Sequence, residues 1–80
     1  MRVLLLGRLR DLAGWREREI DPPPATIMEL RALLTAEDAR LGAALGGPGV
    51  QVAVDQIIVR GDAPLSATAE VAFLPPMSGG

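Results

Sequence analysis

Each end of this 80-residue chain carries a short apolar run with strand-forming character: Val3-Leu4-Leu5-Leu6 at the start and Glu70-Val71-Ala72-Phe73-Leu74 near the finish. A continuous apolar run of this length predicts a strand buried on both faces, which belongs at the centre of a sheet. Two such strands at opposite ends constrain a small chain heavily, because the residues between them must cross over and cover the sheet. Side chains alternate along a strand, so Val3 and Leu5 face one side and Leu4 and Leu6 the other. If Val71 and Phe73 face the covering layer, Leu74 faces away, on the side of Leu4 and Leu6.

The intervening residues read in order. Gly7 ends the first strand, and Leu9, Leu12 and Ala13 recur at helical spacing before Gly14 caps one short turn. Trp15 is read as cover for the core margin rather than a ligand site. Arg16-Glu17-Arg18-Glu19-Ile20 is charged on both faces, an edge strand whose charges discourage edge-to-edge pairing, or a solvated loop. Asp21-Pro22-Pro23-Pro24 breaks regular structure, since the prolines remove successive donors. Thr26-Ile27-Met28-Glu29 spells a capping box, and the helix it starts carries Ile27, Leu30 and Leu34 on one stripe. A second helix near Asp38 to Leu45 adds Leu41 and Leu45 before Gly46-Gly47-Pro48-Gly49 stops it. No Gly-Lys-Ser/Thr follows those glycines, and a strand rather than a helix comes next, so a phosphate loop is not read there.

Val50-Gln51-Val52-Ala53-Val54 alternates cleanly and predicts a strand. Asp55-Gln56 and Ile57-Ile58-Val59 read as a turn and a returning strand. Asp55-Gln56 is read as a tight turn, with a looser connection as the alternative because Asp-Gln is a weak turn pair. Arg60-Gly61-Asp62 matches an adhesion tripeptide but reads here as a polar turn. Leu65 is expected to tuck inward. Pairing the first and last strands gives an α+β domain, a mixed sheet packed on one main helix. It spans residues 1–74, with residues 75–80 as an extended tail.

Composition excludes several functions. With 49% hydrophobic residues the chain suits a small globular core. It contains no cysteine, histidine, tyrosine or lysine, and its only serines are Ser66 and Ser78. The side chains that carry most nucleophilic and acid–base chemistry are absent, so the chain is not expected to be an enzyme on its own. Nor is any metal site or stably bound cofactor expected. Its eight basic residues are all arginines, scattered over a net charge of −2, which argues against nucleic acid as a partner. No apolar run approaches the roughly 18 residues of a membrane span, and the opening run is too short for a signal peptide. A cytoplasmic location with no membrane partner is expected.

The tail is the other informative stretch. Pro75-Pro76 cannot continue a sheet ladder and should leave it as a stiff, extended segment, followed by Met77-Ser78-Gly79-Gly80. At about 3.3–3.6 Å per residue, such an arm reaches about 20 Å from the body. Gly79 and Gly80 carry no side chain and fit a channel too narrow for other residues. A plainly frayed terminus is the alternative.

Arg2-Val-Leu-Leu-Leu6, Leu9-Arg-Asp-Leu-Ala-Gly14, Val52-Ala-Val-Asp-Gln56 and the terminal Glu70-Val-Ala-Phe-Leu-Pro-Pro-Met-Ser-Gly-Gly80 together resemble the MoaD family, the small sulfur-carrying subunits of molybdopterin synthase. The resemblance covers essentially the whole chain and is most specific at the end. It implies a ubiquitin-like β-grasp fold with a flexible Gly-Gly tail. It also implies that a ubiquitin-activating-type adenylyltransferase, using ATP and magnesium, adenylates the Gly80 carboxylate. Sulfur from a persulfide protein then leaves a thiocarboxylate on Gly80, with Gly79 giving access. The large synthase subunit accepts the arm and passes the sulfur into the dithiolene of molybdopterin. Carried over by position, the partner-binding residues are Leu6, Ile58, Leu74, Pro75, Pro76 and Met77. That Leu6, Ile58 and Leu74 are simply further core is the alternative reading.

Two departures stand out. Thr68-Ala69 replaces the Gly-Asp turn common before the last strand, and the absence of lysine forbids chains linked through the protein's own lysines. Other functions remain open: a sulfur carrier for thiamine or tRNA thiolation, a ubiquitin-like protein modifier joined through Gly80, or an inert binding module.

Overall fold

The apolar end strands meet where their patterns predict. The computed structural model describes residues 1–76, and Met77, Ser78, Gly79 and Gly80 lie outside the described residues. Its elements are β1 (Arg2–Leu5), α1 (Arg8–Ala13), β2 (Glu17–Glu19), α2 (Ile27–Glu37), α3 (Ala39–Leu45), β3 (Gln51–Val54), β4 (Ile57–Val59) and β5 (Glu70–Leu74). The five strands form one sheet in the order β2-β1-β5-β3-β4. β1 and β5 are parallel, with Leu5 opposite Phe73, and the other pairings are antiparallel. The first and last strands thus lie at the interior of a mixed sheet, as their composition requires.

One face of the sheet carries the core. Val3 and Leu5, Val71 and Phe73, and Val52 close against Leu9, Ile27, Leu30, Leu34, Leu41 and Leu45 from the helices. Val3, Leu30, Val71 and Phe73 have no solvent exposure. Removing the Phe73 ring would cost about 3–5 kcal/mol, a large part of the ~5–15 kcal/mol that holds a domain folded.

α2 begins where the capping signal places it. The Glu29 N–H donates to Thr26 Oγ1 at 3.2 Å. The reciprocal half reaches one residue further than expected: the Glu29 carboxylate accepts from the Ala25 N–H at 3.1 Å. The adhesion-like tripeptide is a structural turn whose last residue serves the same helix. Asp62 Oδ1 accepts from the Met28 N–H and from the Ala63 N–H, both at 2.9 Å. α3 is capped by Asp38, whose Oδ1 accepts from Arg40 and Leu41 N–H groups, both at 3.1 Å. α1 ends on Gly14 in the left-handed conformation, as its position predicts.

The tight-turn reading of Asp55-Gln56 holds over the looser alternative, and one expectation is corrected. The connection between β3 and β4 is a tight two-residue turn, with Val54 paired to Ile57 and both Asp55 (φ 50) and Gln56 (φ 70) left-handed. Aspartate tolerates that conformation better than most residues, and contacts to β5 hold it there. The correction concerns β1, which is not buried on both faces: Leu4 is half-buried and Leu6, just past the strand, is 41% exposed. The helices form a single layer, and nothing in the described residues covers the opposite face.

Candidate functional site

The uncovered sheet face is assembled by register. Ala72 of β5 lies opposite Leu4 on one side and Ala53 on the other, and Ala53 lies opposite Ile58. Leu4, Ala72, Ala53 and Ile58 therefore run as one row across four strands. One step toward the C-terminal end, Gln51 lies opposite Leu74. The Leu6 N–H donates to the Phe73 carbonyl at 3.2 Å, which brings Leu6 level with Leu74. None of Leu4, Leu6, Ile58, Ala72 and Leu74 belongs to the core cluster or packs against it, and Ala53, although buried by its strand neighbours, also stands outside that cluster. Two alanines at the centre leave a flat apolar floor between larger rims, the kind of surface that marks a protein interface.

Charge closes the other end of this face. Arg2 Nη2 bonds Glu70 Oε2 at 2.6 Å, and Arg2 Nε lies 3.6 Å from Glu17 Oε2. The polar end is remote from the arm and the apolar end adjoins it.

The arm leaves the sheet between two loops. β5 lies between β1 and β3, so its extension passes between the β1–α1 turn at Gly7 and the α3–β3 loop at Gly49. Pro75 is half-buried there and Pro76 is exposed. A groove of about 600 Å³ opens beside Pro76, floored by Leu9, Leu12, Ala44 and Val50 and edged by Arg8 and Asp11.

The residues expected from sequence divide clearly. Leu6, Ile58 (44% exposed) and Leu74 share the open face, outside the core that the alternative reading assigned to them. Pro75 and Pro76 begin the arm at its edge. Met77, Gly79 and Gly80 lie outside the described residues. Sequence reasoning missed Ala53 and Ala72, whose smallness flattens the face, and Gly7 and Gly49, which flank the arm. No local signal distinguished these four, because their partners are distant in the chain.

Elsewhere, Trp15 covers the core margin as expected, with the Arg18 guanidinium 5.0 Å above its ring. Arg18 also grips Glu37 at the end of α2 through two hydrogen bonds, of 2.6 and 3.3 Å. Its hydrogen bonds hold the Glu37 carboxyl below the usual carboxylate range, and the same bonds raise Arg18. Arg31 lies with its guanidinium 6.0 Å from the Phe73 ring. Among the described residues, no group of three His, Cys, Asp or Glu side chains comes together as a metal site, and no helix is long and apolar enough to cross a membrane.

Sheet order, single helical layer and a C-terminal strand held at the centre define a ubiquitin-like β-grasp protein, the α+β class read from the sequence. The chain belongs to the ThiS family, whose model matches residues 3–80. Over 80 residues it is 35% identical to the molybdopterin synthase sulfur carrier subunit of Escherichia coli K12, covering 100% of this chain and 99% of that protein. Among solved structures, the crystal structure of SAMP1 from Haloferax volcanii superimposes with a TM-score of 0.84 at 24% identity, covering 100% of this chain and 98% of that one. The solution structure of the small archaeal modifier protein 1 from Methanosarcina acetivorans gives 0.79 at 21% identity, covering 99% and 94%. At those identities the two structures establish the fold alone.

Proposed function

We propose that this chain is the sulfur carrier subunit of a molybdopterin synthase, working in the cytoplasm through its Gly80 carboxylate. The observation that supports it most is the central placement of β5, which delivers the Pro75-Pro76 arm beside an open apolar face. The full-length likeness to the E. coli sulfur carrier subunit supports the sulfur-carrier role.

A carboxylate is a poor acyl donor until one oxygen becomes a good leaving group. In the proposed cycle, a Gly80 carboxylate oxygen attacks the α-phosphorus of ATP in an adenylyltransferase that holds magnesium, and pyrophosphate leaves. The terminal sulfur of a protein persulfide then attacks the acyl carbon and AMP leaves. A thiol cleaves the resulting acyl disulfide, so that Gly80 ends as a thiocarboxylate. In the large synthase subunit, that sulfur passes to cyclic pyranopterin monophosphate, and water restores the carboxylate. The chain supplies position and acyl group, and its partners supply the catalytic side chains that it lacks. No cofactor need stay bound to it.

The test is the intact mass of the protein isolated while molybdopterin is being made. A fraction with one oxygen replaced by sulfur at Gly80 is expected. Its complete absence would overturn the proposal. A ladder of heavier conjugates that disappears on deleting Gly80 would mark a protein modifier instead. One extra residue after Gly80 should abolish sulfur loading while leaving the fold intact.

A further inference from the structure

The two loops that flank the arm each meet it with a glycine. Gly7 has φ +56 and ψ −133, and a Cβ built on it would stand 3.0 Å from Pro75 Cγ. Gly49 has φ +82, and a Cβ there would stand 2.7 Å from Pro76 Cβ and 3.4 Å from Pro76 Cα. Real carbon atoms do not approach to 2.7 Å without one of them moving. At Gly49 the obstacle is Pro76 Cβ, a ring atom bonded directly to the arm's backbone rather than the far end of a flexible side chain, while Pro76 Cα lies at ordinary contact distance. Both glycines also hold backbone conformations that side chains disfavour. Consecutive prolines are therefore seated in consecutive glycine notches, one on each side of the departing strand.

We infer that Gly7 and Gly49 are positioning residues that fix the direction in which the arm leaves the domain at Pro75 and Pro76. The inference rests on the carrier reading above and deepens it. Proline rings are rigid, so seating Pro75 and Pro76 in the two notches sets the direction of the arm where it leaves the sheet. Acyl activation depends on placing one carboxylate oxygen in line with a phosphorus atom, and a misplacement of about 1 Å can cost about 100-fold in rate. The apolar face that would hold the partner is formed by other residues. Docking and delivery are thus separable in this molecule: the sheet face binds and the glycine notches aim.

The separation gives a direct test, using purified chain, adenylyltransferase, ATP and magnesium, with pyrophosphate release as the readout. Gly49→Ala should lower kcat about 10- to 100-fold while KM for the chain stays within about twofold, because the docking face is intact. Gly14→Ala is the matched control. Gly14 has φ +83, almost the same backbone conformation, but nothing within 4 Å of an added Cβ. It should keep wild-type kcat. Equal loss in both variants, a loss confined to KM, or a Gly49→Ala chain as fast as wild type would each overturn the inference.

Should Gly49→Ala fail to fold, Pro76→Gly provides the second arm of the test. It removes the clashing Pro76 Cβ, so adding Gly49→Ala to it should change kcat by less than about twofold. A further loss of tenfold or more would overturn the inference, because the clash with Pro76 is then not its cause. A wild-type chain that is never adenylated sinks the carrier reading, and this inference with it. Normal wild-type turnover with an indifferent Gly49→Ala sinks the inference alone.

Discussion

Asp55 and Glu70 are joined twice: the Asp55 N–H donates to the Glu70 carbonyl at 2.8 Å, and Asp55 Oδ1 accepts from the Glu70 N–H at 3.0 Å. The pair ties the β3–β4 turn to the first residue of β5, at the end of the sheet opposite the arm. Asp55→Ala loses the carboxylate bond and places a Cβ residue without Asp's local hydrogen bonding at φ 50. The expected cost is about 1.5–3 kcal/mol. Asp55→Asn keeps both the acceptor oxygen and the tolerance for left-handed backbone, and should lose less than about 1 kcal/mol. Urea unfolding of the two variants measures the difference. Equal losses would show that the side-chain bond contributes nothing beyond charge.

That turn marks the limit of what local sequence could disclose. Asp-Gln is a poor hairpin pair by its own chemistry, and it is held because β5 presents a backbone donor and acceptor to it. β5 lies far along the chain, so no window around residue 55 contains the cause. The same holds for Asp62, which caps α2 from 34 residues away, and for the glycines whose partners are Pro75 and Pro76. What depends only on alternation was readable: the two end strands, the Ile27–Leu30–Leu34 stripe, and the shared side of Leu4, Leu6 and Leu74. Alternation says which side chains share a face but not whether another layer covers it. For that reason β1 reads as doubly buried in sequence and proves open on one side.

The start of α2 is held by two side chains from different parts of the chain, Thr26 on Glu29 N–H and Asp62 on Met28 N–H. Thr26→Ala and Asp62→Ala should each cost about 1 kcal/mol. The double variant should fall short of the sum, because a first turn that has already frayed loses both bonds together. Strict additivity in denaturant midpoints would show that the caps act on independent groups.

The Arg18–Glu37 pair joins the edge strand β2 to the end of α2 and has a calculable pH signature. Glu37 is depressed in the folded state, chiefly by its hydrogen bonds to Arg18. Its stabilisation is therefore fully present above the unfolded carboxylate range and fades as pH falls through the lower, folded value. Both groups are substantially exposed, which limits the pair to about 0–1 kcal/mol. Glu37→Gln should unfold at slightly lower temperature than wild type at pH 7, and the gap should close in acid. A gap that persists at pH 2 would assign the effect to packing, and a gap insensitive to salt would contradict a screened surface pair.

Ile57 and Ile58 are adjacent, exposed and chemically identical, yet the register sends them to opposite sides of β4. Ile58 lies opposite Ala53 on the open face, and Ile57 lies opposite Val54, which packs on the helical side. Ile57 is 68% exposed and Ile58 44%, so a glutamate at either should cost the free chain no more than about 1 kcal/mol. If the open face carries the synthase partner, the two substitutions separate on binding. Ile58→Glu buries an unpaired charge in an apolar contact and should weaken association with the large subunit about 30-fold or more, the loss that defines a hot spot. Ile57→Glu should change it less than about threefold, since surface substitutions outside a contact lie within about 0.5 kcal/mol of neutral. Titration calorimetry with each variant decides it. Equal weakening would mean that the partner grips the β4 edge rather than the face, and a stronger effect at Ile57 would move the docking surface to the helical side.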